Sequence, residues 1–86
     1  MYDDRVPAFQ EGRVKWFSGV KEYGFISRRD DSDVFVHYRD IIMFEDEFRQ
    51  LHNGQEVRFR VGMGPHGEYA YNVFPSSKWF TYDKEK

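Results

Sequence analysis

The chain contains no cysteine, which excludes a disulfide framework and a thiolate-ligated zinc site. It has no apolar run near the roughly 18 residues that a membrane-spanning helix needs. The stretch Met1-Tyr2-Asp3-Asp4-Arg5 lacks the basic and apolar regions of a signal peptide. A cytoplasmic protein with no membrane contact is therefore expected. His37, His52 and His66 share no metal-ligand spacing, so no metal is expected. No serine or carboxylate stands in a catalytic pattern near His37, so neither an enzyme nor a cofactor is expected. A net positive charge is also missing. The formal net charge is -2, and the chain as a whole has no attraction for phosphate.

What the 86 residues do hold is aromatic side chains, 20% of the total. A chain of this length makes one small domain with a modest core. Its aromatics concentrate in two runs. The first, Gly12 to Ile26, carries Trp16, Phe17, Tyr23 and Phe25; the second is Asp33-Val34-Phe35-Val36-His37-Tyr38. Charge is uneven in a way that follows them. Between residues 12 and 29, Arg13, Lys15, Lys21, Arg28 and Arg29 are set against Glu22 alone. Residues 30–56 are acidic, with Glu45-Asp46-Glu47 the densest cluster. Local asymmetry of this kind says more about partners than the net value does.

Five short strands are expected. Arg13 to Phe17 is β-branched, aromatic or long, and Ser18-Gly19 breaks it. Tyr23 to Arg28 and Val34 to Tyr38 follow, separated by the polar turn through Asp30-Asp31. Residues 39–53 fit neither period, which predicts a long loop with a helical turn near Glu45 to Gln50. Asn53-Gly54 then marks a turn. Gln55 to Val61 alternates as a fourth strand, and Glu68 to Phe74 makes a fifth that Pro75 is expected to end. The fold class is thus all-β, a small barrel or sandwich. Gly62-Met63-Gly64-Pro65-His66-Gly67 satisfies the G-x-G-x-x-G dinucleotide pattern in letters only. That motif needs a helix after it, whereas Glu68 to Tyr71 alternates like a strand. A glycine-rich hairpin is expected there.

Alternation across the strands sorts the aromatics. If Ile26, Val34 and Val36 face the core, then Tyr23, Phe25, Phe35 and His37 face solvent. The reverse assignment would bury His37 among rings and put aliphatic side chains outside, while Val14, Val57, Val61 and Val73 already supply an aliphatic core. A contiguous exposed aromatic patch marks a binding surface. In the first strand the same parity exposes Lys15 and Phe17 and buries Trp16; turning Trp16 outward would take a bulge.

These residues resemble the cold-shock domain family, the nucleic-acid-binding branch of the five-stranded antiparallel OB-fold barrels. Lys21-Glu22-Tyr23-Gly24-Phe25-Ile26 and Asp33-Val34-Phe35-Val36-His37-Tyr38 are similar to its two ribonucleoprotein motifs. Lys15-Trp16-Phe17-Ser18 is similar to its Lys-Trp-Phe-Asn, and Asn53-Gly54-Gln55-Glu56-Val57 and Ala70-Tyr71-Asn72-Val73 to its later strands. Four departures stand out: Glu22 for glycine, Ser18 for asparagine, Arg39-Asp40 for Ser-Ala, and about two extra residues before Phe48. The resemblance implies residues 12–75 as the domain and 76–86 as an extension beyond it; residues 1–11, with Pro7, mixed charge and no periodicity, are expected to be a flexible extension in which Tyr2 and Phe9 are the rings able to dock. It further implies a stacking platform of Trp16, Phe17, Tyr23, Phe25, Phe35, His37 and Tyr38, with Phe48 from the long loop. Lys15 and Lys21 would supply charge. Apart from the family motifs, the position of His66 in the glycine-rich hairpin gives the expectation that it reaches the ligand. The expected ligand is single-stranded DNA or RNA, held without catalysis as by a cold-shock protein or RNA chaperone. The competing expectation is a protein-interaction module using the same face. Lys78-Trp79-Phe80-Thr81-Tyr82 has two readings: a tail covering the end of the barrel, or a contact for weak self-association.

Overall fold

The computed structural model describes residues 6–42 and 50–79, with side chains as far as Ser76. Five strands form in chain order: β1 (Gln10–Ser18), β2 (Tyr23–Arg28), β3 (Asp33–His37), β4 (Gln55–Gly64) and β5 (Gly67–Trp79). They close into a barrel in the order β1-β2-β3-β5-β4, with β4 returning to pair with β1. This is the five-stranded OB-type barrel. Four of its five seams are antiparallel, and β3 runs parallel to β5. A 3-10 turn at Tyr38–Asp40 follows β3. No helix among the described residues is long and apolar enough to cross a membrane.

The interior is mainly aliphatic, as parity requires, with Phe59 as its buried ring among the described residues. Val14, Ile26, Val34, Val36, Val57 and Val73 are buried, joined by Phe59, Ile41, Leu51 and Ala70. Burying a set of Val, Ile and Leu side chains contributes about 1.5–3 kcal/mol each, which is the main force holding so small a barrel closed. Gln55 is the buried polar residue of this interior, and both ends of its amide are satisfied. Its Oε1 accepts from the His52 amide at 3.0 Å and its Nε2 donates to the Ser76 carbonyl at 3.0 Å. A buried amide left unpaired would cost about 1–3 kcal/mol.

Two boundaries differ from expectation. Pro75 does not end β5, which continues to Trp79. Proline removes one ladder donor and fits where pairing is irregular, and the β4–β5 register shifts between Gln55 and Val57, the residue opposite Pro75. At the other end, strand starts at Gln10, inside the lead-in expected for 1–11, and pairs with Phe59. The residues before it are fastened too. The Phe9 ring meets Phe74 edge-on at 5.7 Å and carries the Arg58 and Arg60 guanidinium groups at 4.8 and 4.1 Å, while Arg60 donates to the Pro7 carbonyl. The helical turn expected near Glu45 to Gln50 falls largely on residues 43–49, outside the described residues, as do the side chain of Trp79 and residues 80–86.

Candidate functional site

The site begins as a consequence of the core. With Ile26, Val34 and Val36 drawn inward, alternation turns Phe25 and Phe35 outward, directly opposite each other across β2 and β3, and Tyr23 opposite His37. Phe25 and Phe35 meet edge-on with centroids 5.9 Å apart, and Tyr23 lies 5.6 Å from Phe35. Cross-strand aromatic pairs of this kind stabilise the sheet by about 0.5–1.5 kcal/mol beyond their burial, so the outer face partly supports itself.

The structure corrects the parity of β1. Val14 pairs with Ile26, but Trp16 pairs with Phe25, which leaves Lys15 as an extra residue in a bulge. The bulge reverses the two rings that follow. Trp16 turns outward, 37% exposed, 5.6 Å from Phe25 and 5.7 Å from Tyr23. Phe17, expected outside, leans on the core instead. Its ring and backbone close over Gly24, where an added Cβ would stand 2.7 Å from Phe17 Cα. Tyr38 likewise packs partly against the core, with the His37 ring 5.0 Å away. One contiguous cluster therefore covers β1 to β3: Trp16, Tyr23, Phe25 and Phe35, with His37 and Tyr38 beyond it.

His37 is oriented by its own chain. Its Nδ1 accepts the Arg39 amide at 3.2 Å, which leaves Nε2 as the protonated nitrogen of the neutral ring and a donor for a base or phosphate. Nearby Asp40 has its carboxyl pushed above the usual carboxylate range by burial, an effect larger than the opposing pull of Arg39 and His37. His66 sits exposed in the turn of the β4–β5 hairpin and joins none of these ring contacts. Phe48 lies outside the described residues.

The local basic surplus of the sequence is largely spent within the fold. Lys15 Nζ meets Asp33 at 2.8 Å, Arg28 meets Glu68 at 2.9 Å, Arg29 meets Glu11 at 3.0 Å and Arg13 meets Glu56 at 3.7 Å. Among the described residues, Lys21 is the one of the five basic groups whose side chain has no carboxylate partner. Exposed pairs are worth only about 0–1 kcal/mol, so an incoming phosphate can compete for Lys15. Sequence reasoning could not anticipate the pairing, because each carboxylate comes from a strand other than the one that carries or precedes its basic partner.

Glu22 occupies the loop between β1 and β2 with φ at 67°. Its amide donates to the Ser18 carbonyl at 2.7 Å and its carbonyl accepts the Tyr38 amide at 3.0 Å, so the left-handed conformation is held from both sides. A residue with a Cβ pays about 1–2 kcal/mol there, and glycine recovers most of it less its own entropic cost. Glu22→Gly is expected to stabilise the barrel by about 0.5–1 kcal/mol. A urea midpoint that rises with an unchanged slope is the measurement; an unchanged or lower midpoint would contradict it. Ser18 supplies the other support, accepting the Lys21 amide on its hydroxyl at 3.0 Å.

No group of three or more His, Asp or Glu side chains among the described residues is arranged to hold a metal ion. Similarity to known proteins agrees with the geometry. The family profile of the 'Cold-shock' DNA-binding domain matches residues 10–76. Cold shock-like protein CspC of Bacillus cereus is 46% identical over 63 residues, 73% of this chain and 94% of that protein. Cold shock protein CspB of Geobacillus stearothermophilus is 47% identical over 64 residues, 74% of this chain and 94% of its own length. Cold shock-like protein CspJ of Salmonella typhimurium reaches 51% over 63 residues, 72% and 87% of the two chains.

Proposed function

This chain belongs to the cold-shock domain family, and we propose that it binds single-stranded DNA or RNA by stacking bases on the outer faces of β1, β2 and β3. The observation that carries the reading is the ring cluster itself, in which Trp16, Tyr23, Phe25 and Phe35 touch in sequence at 5.6–5.9 Å on the wet side of a barrel whose core is mainly aliphatic. Every base has a π-face, so such a surface accepts successive bases with little sequence preference. Trp16 replaces Phe17 as the principal ring of β1, and Phe17 acts from beneath by holding Gly24 and the strand crossing in place. His37 extends the cluster and donates through Nε2. Of the five basic groups in residues 12–29, Lys21 is the one whose side chain has no carboxylate partner among the described residues, and Lys15 exchanges Asp33 for a phosphate when the strand arrives. A strand held in this way is kept from pairing, which is the physical basis for action as an RNA chaperone or as a regulator of transcription or translation, with no catalytic step.

The direct test is a titration with short oligo-dT and oligo-U in a Trp79→Phe background, so that Trp16 alone reports. Saturable quenching is expected. No saturable response to either strand would overturn the proposal and favour a protein-docking role for the same face.

Salt dependence separates stacking from charge. With Arg13, Arg28 and Arg29 already paired to carboxylates, few phosphates are neutralised at the ring face, and the log-log slope of affinity against salt should be roughly -1 to -3. A slope near -8 would mean that backbone contacts, not rings, dominate.

A further inference from the structure

Two glycines of the Gly62-Met63-Gly64-Pro65-His66-Gly67 stretch have a structural use that involves no phosphate. Tyr69 on β5 stands opposite Gly62 on β4. Its ring fills the space that side chains at two β4 positions would need. A Cβ at Gly62 would lie 3.1 Å from Cε1, Cζ and Oη of Tyr69, and one at Gly64 would lie 3.3 Å from Cδ1. The ring therefore lies along the strand over bare backbone, and its other side is half-exposed.

β5 is also the strand beside β3. Phe35 pairs with Tyr69 and Val36 with Ala70. Val36 and Ala70 are both fully buried, so alternation turns Phe35 and Tyr69 outward on neighbouring strands. Tyr71 follows on the same side, its ring 5.8 Å from Tyr69. Arg60 stands opposite Tyr71 on β4, its guanidinium spread on Phe9, where a planar cation can still donate to phosphate.

We infer that Tyr69 and Tyr71 extend the stacking face onto β5 and form an added base subsite for the nucleic-acid strand as it passes Phe35. This rests on the single-strand binding proposed above and lengthens its site. One strand step is about 4.8 Å and two residues along a strand span about 6.6 Å, so the two tyrosines make room for one or two further bases. The cation for this end is Arg60, which no ion pair to a carboxylate engages among the described residues.

A length series decides it. Oligo-dT of three to ten nucleotides is titrated calorimetrically into the full chain, the Tyr69→Leu/Tyr71→Leu variant and the Tyr69→Phe/Tyr71→Phe variant. Affinity of the parent chain should rise with length and level off one or two nucleotides later than that of the leucine variant. At the plateau the leucine variant should be about fivefold or more weaker, with the shortest oligonucleotides bound equally and the phenylalanine variant matching the parent. Because Tyr69 seats on Gly62, leucine there could open the barrel; a thermal melt detects this, and Tyr71→Leu alone then reads the same plateau. Identical plateau lengths in all variants would overturn the β5 subsite while leaving the β1–β3 platform standing. Failure of the parent chain to bind at any length would overturn the platform and the subsite together.

Discussion

Replacing Phe25 and Phe35 together with alanine is expected to lower affinity for single-stranded oligonucleotides by at least about 100-fold while the barrel stays folded. Each base stacked on a ring is worth about 1–3 kcal/mol by truncation, which is roughly 5- to 150-fold per position. The two rings occupy the centre of the cluster, opposite one another and each in contact with a further ring. Because they touch, their losses should not add simply, and the pair should be read as a unit. Stability should respond far less. Both side chains stand outside a core built from Ile26, Val34 and Val36, so the cost is that of the lost ring contacts, about 1–2 kcal/mol. Titration of the variant beside a thermal melt separates the two quantities. A variant that still melts cooperatively and binds like the parent would show that the exposed rings are not the ligand surface.

Gly24→Ala should do the opposite and strongly destabilise the fold. Gly24 is buried between the outward rings Tyr23 and Phe25, and it lies opposite Phe17. A methyl group there would run into the Trp16 carbonyl oxygen, stand 2.7 Å from Phe17 Cα and 2.9 Å from Phe17 Cδ1. Two of these three neighbours are backbone of the paired strand, which cannot turn aside as a flexible side-chain end could. Overpacking usually costs about 1–3 kcal/mol, and a backbone collision inside a closed barrel belongs at or above the top of that range. Total stability for a domain of this size is about 4–13 kcal/mol. A loss of about 3 kcal/mol should lower the melting temperature by about 12–24 °C. Far-UV circular dichroism during heating is the check, and a shift of only a few degrees would mean that β1 can move away from β2 at this crossing.

These two outcomes separate the roles of neighbouring residues. Phe25 and Phe35 can be lost from the outside of the barrel, whereas Gly24 sits at the joint that aims them. Phe17 belongs with Gly24 in this respect. Its truncation should cost stability as well as affinity, because its ring lies against the core and over the glycine.

The faces of the central strands are legible in the amino-acid sequence. Strict alternation in Val34-Phe35-Val36-His37 and in Tyr23-Gly24-Phe25-Ile26 assigns them, because side-chain direction in a strand has a period of two and the aliphatic residues must go inward. The five strands and the turn at Asn53-Gly54 follow from the same pattern and from residues that favour turns. The resemblance of both aromatic runs to the cold-shock domain motifs, in order, points to the barrel and the class of ligand. All of this is local information, carried within stretches of five to ten residues.

The remaining features depend on tertiary pairing, and in each case the cause is non-local. The bulge at Lys15 is a register shift against β2, invisible in β1 alone, and it exchanges the places of Trp16 and Phe17. The basic surplus of residues 12–29 vanishes because Glu11, Asp33, Glu56 and Glu68 are brought in from elsewhere. Pro75 stays in its strand because the β4–β5 pairing turns irregular just beyond it, Val57 pairing with Pro75 but Gln55 with Trp79. Tyr69 and Tyr71 join the aromatic face because barrel closure puts β5 beside β3, a neighbour that no periodicity along the chain can name. Period and composition determine which side of a strand a residue faces; pairing between distant segments determines what stands next to it.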